Sequence, residues 1–128
     1  MPFEYVRDDA KHRIKVTVSD PLTVAELIAS VEHQLADGTW QHTLIVDARR
    51  LILLTPNVSF MQSFVSYVAE LVAAHGPRGP IAIVSTQSGV ISSGQMYNLF
   101  GGEMEPVEVF WDIDEGQQWL DQRSAQDR

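Results

Sequence analysis

The stretch Thr43-Leu44-Ile45-Val46-Asp47-Ala48-Arg49-Arg50 decides the fold. Leu44, Ile45 and Val46 are consecutive and apolar, so a strand built on them buries both of its faces. Strands covered on both sides belong to parallel sheets, whose connections cross over the sheet instead of turning straight back. Ile81-Ala82-Ile83-Val84-Ser85 is a second run of this kind. Between the two, Met61, Phe64, Val65, Val68, Leu71 and Val72 recur at helical spacing, which predicts an amphipathic helix over residues 58–75. Strand, helix and strand in that order predict a right-handed crossover.

The same alternation continues on both sides. Upstream, Thr23-Val24-Ala25-Glu26 has the form of a capping box, in which the Thr hydroxyl and the Glu carboxylate each satisfy a backbone N–H of the first turn. Val24, Leu27, Ile28, Val31 and Leu35 then share one helical stripe, ended by Asp37-Gly38. Before it, residues 3–7 and 13–18 read as a hairpin: Ile14, Val16 and Val18 alternate with Arg13, Lys15 and Thr17, so one face is wet. Asp20-Pro21 stops it. Downstream, a helix over 89–100 closes at Gly101-Gly102, and a strand over 107–111 follows. A last helix from about Asp112 turns Ile113, Gly116, Trp119 and Leu120 inward and leaves 123–128 as a frayed tail.

The expected architecture is therefore α/β: a mixed, mostly parallel sheet of about five strands with an N-terminal hairpin and four helices. The Pro/Gly-rich segment 75–80 is too short to be a linker, so residues 1–128 form one domain.

Composition narrows the function. The 9 basic and 17 acidic residues give a formal charge of −8, and the basic ones are scattered, which opposes nucleic-acid binding. With no cysteine, disulfide scaffolds, thiolate metal sites and cysteine nucleophiles are excluded. The charged N-terminus does not read as a secretory signal, and no apolar run approaches a bilayer span, so no stable membrane insertion and a cytoplasmic location are expected.

Three places could carry chemistry. Asp47 and Arg49 lie at the carboxyl end of a predicted parallel strand, where open α/β sheets place ligands. Arg49 could grip a carboxylate or phosphate, or Asp47 and an arginine could pair for structural reasons. Ser88 and Gly89 open a predicted helix, where exposed N–H groups favour anions; capping by Ser88 explains them equally. Leu51-Ile52-Leu53-Leu54, with Phe60, Phe64 and Tyr67 on the helix that follows, puts more apolar side chains into a connection than a surface loop needs. Either they pack on the core or form a short extra turn, or they make an apolar patch for a partner, a second subunit or a lipid-like ligand. His12, His33, His42 and His75 show no metal-ligand spacing. No acid–base pair or activated nucleophile is present, so neither an enzyme nor a cofactor is expected.

Leu44 to Arg49, Ile81 to Ser85, and Val-Phe-Trp-Asp with Trp-Leu between Val109 and Leu120 resemble the STAS-like domains, small bacterial domains similar to anti-sigma-factor antagonists and to the cytoplasmic domains of sulfate transporters. The resemblance covers about residues 3–120. It implies a strand–helix superhelix and non-enzymatic regulatory work through a protein partner, which in some relatives is switched by phosphorylation. In related folds it implies binding of lipid-like ligands. The phosphorylatable motif at the helix after the central strand is replaced here by Ala48-Arg49-Arg50-Leu51, so no switch of that kind is expected. Two readings follow. One is an interaction domain forming a homodimer or binding a protein partner through apolar surface in 51–67. The other is a carrier or sensor of a small apolar ligand with that segment as its lid. A flat apolar face favours the first, and a deep cavity the second.

Overall fold

The protein is described by a computed structural model over residues 3–20, 23–51, 58–101 and 106–126. The elements run β1 (Phe3–Asp8), β2 (Arg13–Ser19), α1 (Val24–Ala36), β3 (Thr43–Arg50), α2 (Val58–His75), β4 (Ile81–Val84), α3 (Ser88–Gly101), β5 (Val107–Phe110) and α4 (Ile113–Gln126). The five strands form one sheet in chain order. β1 pairs antiparallel with β2, with Tyr5 opposite Val16. All later pairings are parallel, with Val16 beside Val46 and Val46 beside Ile83.

Strand order equal to chain order, with right-handed crossovers, sends successive helices to the same face. α1, α2 and α3 accordingly cover one face and α4 the other. The core divides in the same way. Ile14, Val16, Leu44 and Ile81 pack with Met61, Val65, Val90 and Tyr97 under the three helices. Ile45, Ala82, Val84 and Leu120 form a smaller cluster under α4.

The capping box at Thr23 is formed: Glu26 N–H donates to Thr23 Oγ1 at 3.3 Å and Thr23 N–H to Glu26 Oε2 at 3.0 Å. Of the predicted stripe on α1, Val31 is buried, while Leu27, Ile28 and Leu35 are half-buried. β3 extends to Arg50, four residues beyond its apolar run, and β5 stops at Phe110, leaving Trp111 exposed. The expected tail is shorter than read from sequence. α4 continues to Gln126, and the Arg123 guanidinium lies 5.1 Å from the centre of the Trp119 ring. Trp119 is half-buried, so the inward anchor of α4 is Leu120, which has no exposed surface.

The connections that lead into β3 and β4 are tied together. Trp40 Nε1–H donates to the Gly76 carbonyl at 2.8 Å, and Gly79 N–H to the Trp40 carbonyl at 3.2 Å. Gly79 passes so close that a Cβ there would stand 2.1 Å from the His42 carbonyl oxygen, so this contact requires glycine. The α2–β4 connection is thereby clamped to the α1–β3 connection.

Candidate functional site

A half-enclosed cavity of about 160 Å³ lies between the sheet and the three-helix layer. Its sheet wall is built from Val16, Val18, Leu44, Val46 and Ile83. These belong to the inward-facing alternate positions of neighbouring strands, which a side-chain period of two places on one face. Leu27 and Val31 of α1, Met61 and Phe64 of α2, and Val90 and Tyr97 of α3 face them.

Gly94 lets α3 approach Val109 and Ile83 closely. α2 packs more closely on α3 than on α1. The Phe64 and Tyr97 rings meet at 5.8 Å, and Tyr67 Oη–H donates to Glu32 Oε1 at 3.2 Å between α2 and α1. Short side chains, Ala48, Ser30 and Ser93, stand where larger ones would fill the gap.

Polar groups on the described walls are few, and several are engaged with the protein. Ser30 Oγ–H donates to the Leu27 carbonyl at 2.7 Å. Arg78, the sole charged residue among the described lining residues, sends Nε–H and Nη2–H to Gln34 Oε1 at 3.0 and 2.8 Å. Its guanidinium also lies 5.3 Å from the Trp40 ring centre. Tyr5 Oη–H reaches Asp37 Oδ2 at 2.9 Å and shares a hydrogen bond with Thr39 Oγ1. Such a wall offers dispersion contact and little that would hold water.

A second, polar depression lies on the other face, at the carboxyl ends of β2 and β3. Glu4, Lys15, Thr17, Asp47, Arg49 and Arg50 line it. Glu4 pairs in register with Thr17, and Thr17 with Asp47, so they form one row across the sheet. Asp47 is 5% exposed and is held by Arg49: Nε–H donates to Oδ1 at 2.9 Å, Nη2–H to Oδ2 at 2.7 Å and the backbone N–H to Oδ1 at 3.2 Å. Lys15 Nζ stands 3.9 Å from Oδ2. The Arg49 hydrogen bonds hold the Asp47 carboxyl below the usual carboxylate range, against the opposing effect of its burial. The pairing is intramolecular, so Asp47 and Arg49 satisfy one another.

The residues singled out from sequence therefore separate. Leu51, 3% exposed, and Phe64 line the cavity, so Leu51 is core and offers no surface patch. Asp47 and Arg49 are on the opposite face. Ser88 is exposed and Gly89 half-buried at the start of α3, and neither lines the cavity. Ile91 N–H donates to the Gln87 carbonyl, which puts Gln87 rather than Ser88 at the cap position. Ser85, fully buried, accepts from Gln87 N–H at 3.0 Å. Leu53 and the side chain of Phe60 lie outside the described residues.

Val90, Ser93, Gly94 and Tyr97 were not singled out. Their spacing of i, i+3, i+4 and i+7 is the one signal that marks them as a single helix face.

The histidines pack against aromatic rings: His33 on Tyr5 at 4.2 Å, His12 on His42 at 5.4 Å and His75 near Trp40 at 6.5 Å. Among the described residues no group of three or more His, Cys, Asp or Glu is placed to hold a metal ion. No described helix is long and apolar enough to cross a membrane. No protein-family model, curated protein or solved structure matches the chain.

Proposed function

We propose that this domain is a non-catalytic carrier or sensor of a small apolar ligand, held between the sheet and the α1–α3 layer. The single observation behind this reading is the cavity of about 160 Å³ with walls formed chiefly by aliphatic and aromatic side chains. Interiors are normally filled to crystal-like density, and a void of this size costs stability unless something occupies it. Ligand sites are typically concave, mostly apolar and few per protein. The resemblance to STAS-like domains adds a regulatory setting, in which occupancy of the cavity is passed to a protein partner. Native mass spectrometry of protein purified from its own host tests the reading. A stoichiometric organic species released on denaturation supports it. Ligand-free protein, unaffected by any member of a broad apolar panel, contradicts it.

Self-association is the second reading, and it is supported by two exposed apolar residues rather than by the buried Leu51. Trp111 is 70% exposed at the end of β5 and Val6 58% exposed on the edge strand β1. Large apolar groups left wet at sheet edges are association sites. Sedimentation over a concentration series should show a dimer that Trp111→Lys or Val6→Lys weakens. A monomer at high micromolar concentration rules this out.

A further inference from the structure

We propose that the ligand is a compact, uncharged molecule of about six to nine non-hydrogen atoms, flat or branched, and not a long-chain lipid. The proposal rests on the ligand-binding reading above and narrows it in size, shape and charge.

Size comes from the volume. The cavity measures about 160 Å³. An engineered cavity of about 150 Å³ in another protein, lined by similar side chains, stays dry and takes benzene or xenon. A long acyl chain exceeds this volume and would leave most of its length outside the half-enclosed cavity.

Shape comes from the walls. The tilted Phe64–Tyr97 ring pair forms one side, and the flat row of Val46 and Ile83 on adjacent strands forms the other. Planar molecules fill a slot of this form with the most contact per atom.

Charge comes from the partners. An ion without a counter-charge or hydrogen bonds is costly to bury. The cation on the described walls, Arg78, is directed at Gln34 and stacked on Trp40. Two hydroxyls remain useful: Ser93, 7% exposed, and Ser30, whose oxygen keeps lone pairs after donating to Leu27. They suit a ligand with one hydroxyl or N–H.

The experiment titrates methyl-labelled full chain with benzene, toluene and indole, and in parallel with decanol and decanoate, following methyl resonances and Tm. The small rings should bind with dissociation constants on the order of 0.1–1 mM. At tenfold that concentration they should raise Tm by about 4 to 7 °C. Shifts should be confined to the methyls of Val46, Ile83, Val90 and their neighbours. Val46→Phe, which puts a ring into the slot, should abolish the Tm rise while retaining the native methyl spectrum elsewhere; Ala48→Leu, a smaller filler, serves if that variant does not fold. Tighter binding of decanol or decanoate than of indole overturns the proposal and leaves the carrier reading standing. Shifts scattered over the surface overturn it too. If no probe of either length binds, both the proposal and the carrier reading fail.

Discussion

The rings of Phe64 and Tyr97 meet with centroids 5.8 Å apart and planes inclined by 52°, one from α2 and one from α3, and both line the apolar cavity. The contact joins the two helices and leaves a slot beneath them. Phe64 is half-buried, so Phe64→Ala should cost about 2 kcal/mol, below the range for a fully buried Phe. The same change enlarges the slot, so naphthalene should stabilise the variant more than the parent. Denaturant unfolding and thermal shift measure the two effects.

Gly94 and Gly116 should respond to alanine with opposite signs. A Cβ at Gly94 would meet Val109 Cγ2 at 2.7 Å and Ile83 Cδ1 at 3.3 Å. Gly94→Ala must push α3 off the sheet and should destabilise by about 1–3 kcal/mol. At Gly116 the nearest atoms, in Ala82, Phe110 and Val84, stand 3.4 to 3.5 Å away, an ordinary contact. Gly116→Ala should stabilise by about 0.5–1 kcal/mol through helix propensity. Equal effects at the two sites would show that α3 and α4 are seated alike.

On the α4 face, Leu120 should matter more than Trp119. Leu120→Ala empties a fully buried position and should cost about 3–5 kcal/mol. Trp119, half-buried against Phe110 and covered by Arg123, should cost about 2 kcal/mol on truncation. Chevron or equilibrium unfolding of both variants sets the order, and a larger loss at Trp119 would reverse it.

Much of this fold was legible in the chain. The two consecutive apolar runs at Leu44–Val46 and Ile81–Val84 required parallel strands, and the Thr23–Glu26 box marked a helix start that the structure forms. The Asp47–Arg49 pair could also be read, because residues two apart on a strand share a face. The cavity could not. Its walls meet through contacts between residues far apart in the chain, such as Gly94 against Val109 and Phe64 against Tyr97, which local patterns do not reveal. Arg13 was equally hidden. It is buried and reaches Asp121, 108 residues away, at 2.8 Å, and no local pattern announces that pair.

Acid should destabilise the protein in two steps. Burial first, then His12 and Arg7, hold the His42 imidazole below its ordinary pKa near 6.5, with Asp9 and Asp37 opposing. The unfolded chain therefore takes up a proton before the native state does. His42 contributes stability above about pH 6.5, lost as pH falls through that value toward the folded pKa. Asp47 has the same sign lower down. Arg49 depresses its pKa, so its contribution is present above about pH 4 and lost below. Tm measured from pH 8 to 3 should fall in both windows. His42→Asn should reduce the upper fall and leave the lower one. Asp47→Asn should reduce the lower fall, to which Asp37, held down by its Tyr5 hydrogen bond, also contributes.

Diffraction from crystals held under xenon pressure tests the central claim most directly, because xenon reports an apolar, accessible void independently of any chosen ligand. The account predicts a xenon peak between Val46 and Ile83 on one side and Phe64 and Tyr97 on the other, absent in Val46→Phe crystals. No xenon peak, with the space filled by protein side chains or by ordered water hydrogen-bonded to Ser30 and Ser93, would contradict it.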